Sequence, residues 1–313
     1  MRLNLETTDD FKALASLNKE LITLSDEQLH QVQRIALEAV KDIVSVCSDL
    51  GSNYHLTGGS ALGVVRHQGF IPWDDDVDID IARKDLLPFL EEFSRRFSDK
   101  YWIHGPHSPD AHCVRCYQIR RKGTIFRGCA DPSSSESGIA VDLPVMENTF
   151  DNAALRRIHG YISLILGLIV SCRRFYMNRN YLLNLASAAP DIQKKFRTKV
   201  RIGWVFSFAS LRAWTSLYDR WNAICGDEGS EFVTVPTGRK HFFGELYRRS
   251  DFAETTTGTF EGIEVKIPKE WDRYLTHMYG DYMTIPPKEK QERHLLAEFG
   301  INILKSGEYS CPV

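Results

Sequence analysis

No apolar run in the 313-residue chain reaches the length of a bilayer span. The longest, Tyr161 to Cys172, is twelve residues and includes two serines and a glycine, where a span needs about 20. It predicts a buried or interfacial helix. The N-terminus, MRLNLETTDDF, has no basic stretch followed by an apolar one, so no secretory signal is expected. Cysteine is sparse and odd in number, seven in all. That gives no disulfide framework and predicts a reduced, cytoplasmic protein. Excess charge of one sign is also missing: 39 Lys+Arg face 41 Asp+Glu, a net of −2. This argues against a general nucleic-acid binder. With no repeat or low-complexity tract, and with 43% hydrophobic and 26% charged residues, the composition is that of a folded domain.

What charge there is lies unevenly. Asp151 to Cys225 holds twelve Lys/Arg against three acidic residues, a surplus of nine, so an acidic body carries a basic, aromatic-rich centre. Helical periodicity runs through Leu29, Val32, Ala36, Ala39, Ile43 and Cys47, behind a capping box of Ser25 and Gln28 and before Gly51. Short strands are predicted at Tyr54–Thr57, Val77–Ile81 and Ile139–Leu143. Helices are predicted at Ala61–Gln68 (closed by Gly69) and Asp85–Phe97, mostly helical chain over 155–185 and 192–225, a hairpin at Phe260–Ile267 and a last helix at Trp271–Tyr279. This order predicts an α+β core, 1–150, a basic helical insertion, 151–225, and a C-terminal α+β segment, 226–313, completing the core.

The most informative stretch is Pro72-Trp73-Asp74-Asp75-Asp76-Val77-Asp78-Ile79-Asp80-Ile81. Strand alternation puts Asp76, Asp78 and Asp80 on one face and Val77, Ile79 and Ile81 on the other. Aspartate is depleted in strands. Crowded carboxylates repel unless a cation offsets them, and all-oxygen ligands select Mg²⁺ or Mn²⁺. Upstream, Gly58-Gly59-Ser60 between a strand and a helix suits a phosphate, which glycine backbone and a helix N-terminus both favour. Asp142, inside the apolar run Ile139–Leu143, is a further carboxylate for a metal or for deprotonating a hydroxyl.

These residues resemble a known family. Leu56-Thr57-Gly58-Gly59-Ser60-Ala61-Leu62-Gly63 through Arg66-His67-Gln68-Gly69 to Trp73-Asp74-Asp75-Asp76-Val77-Asp78 is similar to the signature of the LicD family, phosphocholine transferases of bacterial surface glycans such as lipopolysaccharide and teichoic acid. That family is related to the fukutin and fukutin-related ribitol-phosphate transferases. The similarity continues through Gly138–Pro144, Phe260-Glu261-Gly262, Tyr279-Gly280-Asp281 and His294, and is loose over 151–250. It implies a nucleotidyltransferase-like (polymerase-β-like) mixed-sheet core. It implies Asp76, Asp78 and Asp142 as catalytic, metal-binding carboxylates and Gly58, Gly59 and Ser60 at nucleotide phosphates. The implied reaction is Mg²⁺-dependent transfer of a phospho-substituent from a CDP-linked donor to a hydroxyl of a glycan or lipid-linked glycan, releasing CMP. Leu143 before Pro144 and the extra Asp80 depart from the common pattern.

Other residues invite roles. Arg66 suits a phosphate clamp, and Arg120, with Arg121 and Lys122, suits a pyrophosphate or a solvated hairpin edge. Cys113, Cys116 and Cys129, near His104, His107 and His112, raise a zinc reading that lacks a second paired spacing. Arg173-Arg174, Lys194-Lys195 and the tryptophans of the insert suit an anionic membrane at the inner face, although most of the aromatics are expected in a core. Nucleotide transfer to an alcohol, and a non-catalytic glycan- or membrane-binding protein, are the alternative functions.

Overall fold

The computed structural model describes residues 21–131, 135–288 and 293–302, with positions 7, 10, 11, 13, 14 and 291. Helix α1, Asp26–Leu50, opens on the predicted capping box. The Ser25 hydroxyl accepts from the Gln28 N–H, and the Gln28 side chain accepts from the Ser25 N–H. Gly51, at φ 65°, closes it. Then come β1 (Tyr54–Leu56), α2 (Gly58–His67), β2 (Ile79–Ala82), α3 (Arg83–Phe97), β3 (Tyr101–His104), β4 (Tyr117–Arg121), β5 (Thr124–Gly128), β6 (Ala140–Leu143) and β7 (Val145–Thr149). Four helices follow: α4 (Ala153–Met177), α5 (Arg179–Leu185), α6 (Pro190–Val205) and α7 (Leu211–Asn222). The chain ends in β8 (Phe232–Thr234), β9 (Leu246–Arg248), the hairpin β10 (Thr255–Phe260) and β11 (Ile263–Pro268), α8 (Trp271–Tyr279) and β12 (Leu296–Ile301). The architecture is α+β, as expected.

One sheet has the order β1-β2-β7-β8-β9, and a second the order β3-β4-β6. Only β2 and β7 run parallel within the first. Pro144 is the single residue between β6 and β7, so the chain passes there from the second sheet to the first. A parallel bridge between Asp78 and Asp142 ties the sheets together at the same place. Val77, Ile79 and Ile81 are fully buried in the core that α1 and α3 cover. The strand predicted at Val77–Ile81 is regular only from Ile79, because Asp78 meets Asp142 rather than β1. Helix α2 begins at Gly58, three residues earlier than predicted. It ends on Gln68 in the left-handed region rather than on Gly69; the Gly69 N–H still donates to the Gly63 carbonyl.

The four helices α4–α7 depart from β7 and return to its antiparallel neighbour β8. They have cores of their own: Leu166, Ile169 and Val170 pack with Leu211 and Tyr218, and Phe175 packs with Leu182 and Phe196. Arg83 fastens them to the body. Its guanidinium donates to Glu147 on β7 and to Asp219 on α7, the latter at 2.8 Å. Burial pushes Glu147 up to about 7 despite that partner.

The predicted apolar run lies within α4, a 25-residue helix that is long and apolar enough, by length and composition, to cross a membrane and is partly buried in the protein. One expectation for this segment is corrected. The basic pairs expected to face a lipid surface are mostly engaged within the protein. Arg173 is buried and donates to the Gly203 and Ala209 carbonyls, and Arg174 donates to that of Cys113. Lys195 pairs with Asp10. A carbonyl in the last turn of α6 and two loop carbonyls recruit these cations, a tertiary effect that composition does not reveal.

His55 on β1 pairs in register with Asp80 on β2. Its ring is fully buried, edge-on to Phe252, and both ring nitrogens lack partners. Its Nε2 is 4.0 Å from Asp80 Oδ2. Burial holds His55 down at about 3 and holds Asp80 well above the carboxylate range, so this is a neutral pair rather than an ion pair. The unfolded chain therefore takes up a proton near pH 6.5 that the folded chain refuses. Stability on account of His55 is full above that pH and is lost as pH falls from 6.5 toward 3. In His55→Gln the fall in unfolding free energy between pH 6.5 and 5 should be shallower by about 1.4 kcal/mol per pH unit. Identical slopes in denaturant titrations would contradict a neutral His55.

Candidate active site

The sheet junction forms the floor of a cavity of about 880 Å³. Asp76, Asp78, Asp80 and Asp142 all line it. The backbone sets their positions: the Asp142 N–H donates to the Val77 carbonyl at 2.9 Å, and the Asp78 N–H donates to the Ser60 hydroxyl at 3.0 Å. Asp142 also accepts at 2.8 Å from Gln118, whose carbonyl oxygen accepts twice from Arg120. Burial, then Asp76 and Asp142, raise Asp78 well above the usual carboxylate range. Asp142 is raised by burial and Asp76, against the Gln118 hydrogen bond.

A second acidic group sits beside them. Asp74, Asp75 and Asp76 bring carboxylate oxygens within 4.8 Å of one another. Asp75 is spoken for: it accepts from the backbone N–H of His294 at 3.0 Å and pairs with that ring's Nδ1 at 2.7 Å. Burial alone would lower His294. The Asp75 hydrogen bond and the charges of Asp76 and Asp75 overcome that and push it up to about 10. His294 is thus an imidazolium whose Nε2 lies 3.9 Å from Asp76. The clustered acidic oxygens, costly to hold buried without a counter-charge, are a donor set that fits a hard divalent cation.

Beside these carboxylates stands the N-terminus of α2. Thr57 gives that end no side-chain cap, because its hydroxyl turns to Asp80 at 2.9 Å, and the Gly58 N–H donates to the Tyr274 hydroxyl. Gly58 adopts φ 57°; a Cβ there would stand 3.1 Å from Asp78 Oδ2, and one on Gly59 would stand 2.6 Å from Asp74 Oδ2. Both glycines are where the backbone must pass close to carboxylates. Ser60 is brought to the site as a support for Asp78. Arg66 reaches the cavity, donates to the Tyr282 carbonyl and lies over Trp73. Arg120 bears on the site through Gln118, whose carbonyl oxygen it holds while the Gln118 amide donates to Asp142. The sequence reading missed Glu245, pushed up to about 7 by burial, and Tyr274, whose hydroxyl accepts from the Gly58 N–H. Both come from far along the chain, with no local motif to announce them.

The cysteines do not converge. Cys113 packs against the insert, while Cys116 and Cys129 line the cavity. Among the described residues, the histidine-bearing group with metal-ligand spacing is His104, His112 and Glu136.

The contact between Gly58 and Asp78 is testable. Gly58→Ala forces a side chain into the left-handed region, at about 1–2 kcal/mol, and presses on Asp78. Gly59→Ala displaces Asp74 without that backbone cost. Urea unfolding should find Gly58→Ala the less stable; equal stability would contradict the conformation of this turn.

Comparison with known proteins agrees with the resemblance. The family profile described as LicD/FKTN/FKRP, nucleotidyltransferase domain, matches residues 51–125. The lipopolysaccharide cholinephosphotransferase LicD of Haemophilus influenzae is 23% identical over 283 residues, 88% of this chain and 97% of that protein. The ribitol 5-phosphate transferase FKRP of Homo sapiens is 43% identical over 53 residues, 17% of this chain and 11% of that protein. An uncharacterized protein of Rickettsia prowazekii is 38% identical over 85 residues, 23% of this chain and 32% of that protein. Residues 51–125, from the end of α1 to the start of β5, thus match the LicD/FKTN/FKRP domain profile, and the chain is similar to LicD over 88% of its length.

Proposed function

We propose that the protein is a divalent-metal-dependent phosphotransferase that moves a phospho-substituent, phosphocholine or a similar group, from a CDP-linked donor to a glycan hydroxyl, releasing CMP. The observation that carries this reading is the bridge that sets Asp78 beside Asp142 at the N-terminus of α2, where Thr57 gives no side-chain cap. A nucleotidyltransferase-like core, named in the matching family description, fits that arrangement. The relatives named for phosphocholine and ribitol-phosphate transfer supply the class of reaction.

Asp76, Asp78 and Asp142 would hold Mg²⁺ or Mn²⁺. When bound, the ion neutralises charge on the donor phosphates and on the leaving CMP. The remaining work belongs to the chain. The N-terminal turn of α2 receives a donor phosphate, where backbone N–H groups and the helix dipole favour negative charge. Arg66, at the cavity wall, adds a guanidinium to that end. His294, held protonated by Asp75, balances the acidic cluster and is unsuited to act as a base. The proton of the attacking hydroxyl passes to Asp142, the carboxylate raised by burial and oriented by Gln118. The hydroxyl oxygen then bonds to phosphorus as the anhydride bond to CMP breaks.

Asp76→Asn and Asp78→Asn should each abolish transfer while the fold is kept or gains stability, since one of several crowded carboxylates loses its charge. If Asp142 acts only as base, Asp142→Asn should keep a rate reduced by about 10²–10⁴; if it also holds metal, the loss should match that of Asp78→Asn. CDP-linked donors should raise the melting temperature in Mg²⁺, and product analysis should find the nucleoside monophosphate. Pyrophosphate as the product would replace this reading with nucleotide transfer. Full transfer by Asp78→Asn would end it.

A further inference from the structure

The exposed large apolar side chains of this protein are concentrated in the helical insert. Of seventeen among the described residues, twelve lie between Leu155 and Ile224. On α4, Leu155, Ile158, Tyr161, Ile165 and Leu168 recur at intervals of three and four and are all exposed, Tyr161 to 60%. That is one continuous helical stripe. The opposite face of α4 is packed on α7 and β7: Leu166, Ile169 and Val170 are buried, Ser163 bonds to Asn222, and His159 lies between Thr149 and the Trp221 carbonyl. The helix is therefore fixed along its length with an apolar face outward.

Its packing neighbour α6 presents a different face. Lys194, Arg197, Arg201 and Trp204 follow the same spacing and are exposed, and Phe208 stands just beyond the helix. Trp204 is 63% and Phe208 78% exposed. Of the three acidic residues in the insert, Asp219 is turned inward to Arg83 and His107. The outward charge is thus strongly positive.

We propose that the insert docks on an anionic lipid surface, with the α4 stripe and the Trp204–Phe208 turn in the interface and Lys194, Arg197 and Arg201 against lipid headgroups. Apolar stripes with flanking cations and aromatic knobs are what such a surface recognises. A second copy of the chain would also cover an apolar stripe, but it would have to bring like positive charge together. The proposal is independent of the transferase reading, because it is tested by binding alone.

The experiment is flotation of the full chain with vesicles of phosphatidylcholine, with and without phosphatidylglycerol. Binding should require phosphatidylglycerol and weaken steeply with salt. Lys194→Gln, Arg197→Gln and Arg201→Gln should each weaken it about fivefold. The pairs Ile158→Ser with Ile165→Ser, and Trp204→Ala with Phe208→Ala, should also weaken it, with unchanged circular dichroism. Asp78→Asn should bind as the parent does. Failure to bind anionic vesicles at low salt would overturn the proposal. So would binding that neither the charge variants nor the apolar pairs reduce. A dimer in light scattering that Ile158→Ser with Ile165→Ser dissociates, without vesicle binding, would assign the stripe to a second copy. Resistance of the expressed protein to alkaline extraction from membranes would make α4 a span, and would overturn docking equally.

Discussion

Bringing Asp76, Asp78 and Asp142 together at the bottom of one cavity is the constraint on which the rest of this structure turns. Asp78 and Asp142 lose hydration there, and the charge of Asp76 beside them raises both further. The arrangement persists because it is made by backbone. Asp78 and Asp142 lie opposite each other in a bridge between two sheets, and main-chain hydrogen bonds to Ser60 and Val77 hold them. Apolar alternation does the rest: Val77, Ile79 and Ile81 anchor the opposite face so firmly that the acidic face cannot turn away.

Much of this was legible in the sequence, for a physical reason. Strand alternation has a period of two, so Asp76-x-Asp78-x-Asp80 places its carboxylates without knowledge of the fold. Asp142 stood out because a carboxylate within an apolar run is costly unless it faces a site. The capping box of Ser25 and Gln28 and the last helix before Gly280 rest on local chemistry, and they appear where expected; the hairpin expected at Phe260–Ile267 begins earlier, at Thr255. What was not legible depends on pairs distant in the chain. His294 meets Asp75 across more than two hundred residues, and Glu245 and Tyr274 reach the cavity from segments whose own composition is unremarked. The fates of Arg173 and Arg174 were hidden likewise, since each is set by carbonyls that tertiary packing leaves in reach.

The insert and the site divide the labour of the chain. The helices α4–α7 leave and rejoin the central sheet through neighbouring strands, so they add surface without interrupting the carboxylate floor. Arg83 couples the two parts, joining the start of α3 to Glu147 and Asp219.

The central claim is that Asp76, Asp78 and Asp142 form a divalent-cation site. Equilibrium binding of Mn²⁺, followed by its paramagnetic resonance signal, tests it most directly. The account predicts that the folded chain takes up Mn²⁺ in the presence of a CDP-linked donor, that Mg²⁺ competes, and that Asp78→Asn and Asp142→Asn lose the uptake while remaining folded. A folded parent chain that binds no Mn²⁺, or uptake unchanged in both variants, would contradict it.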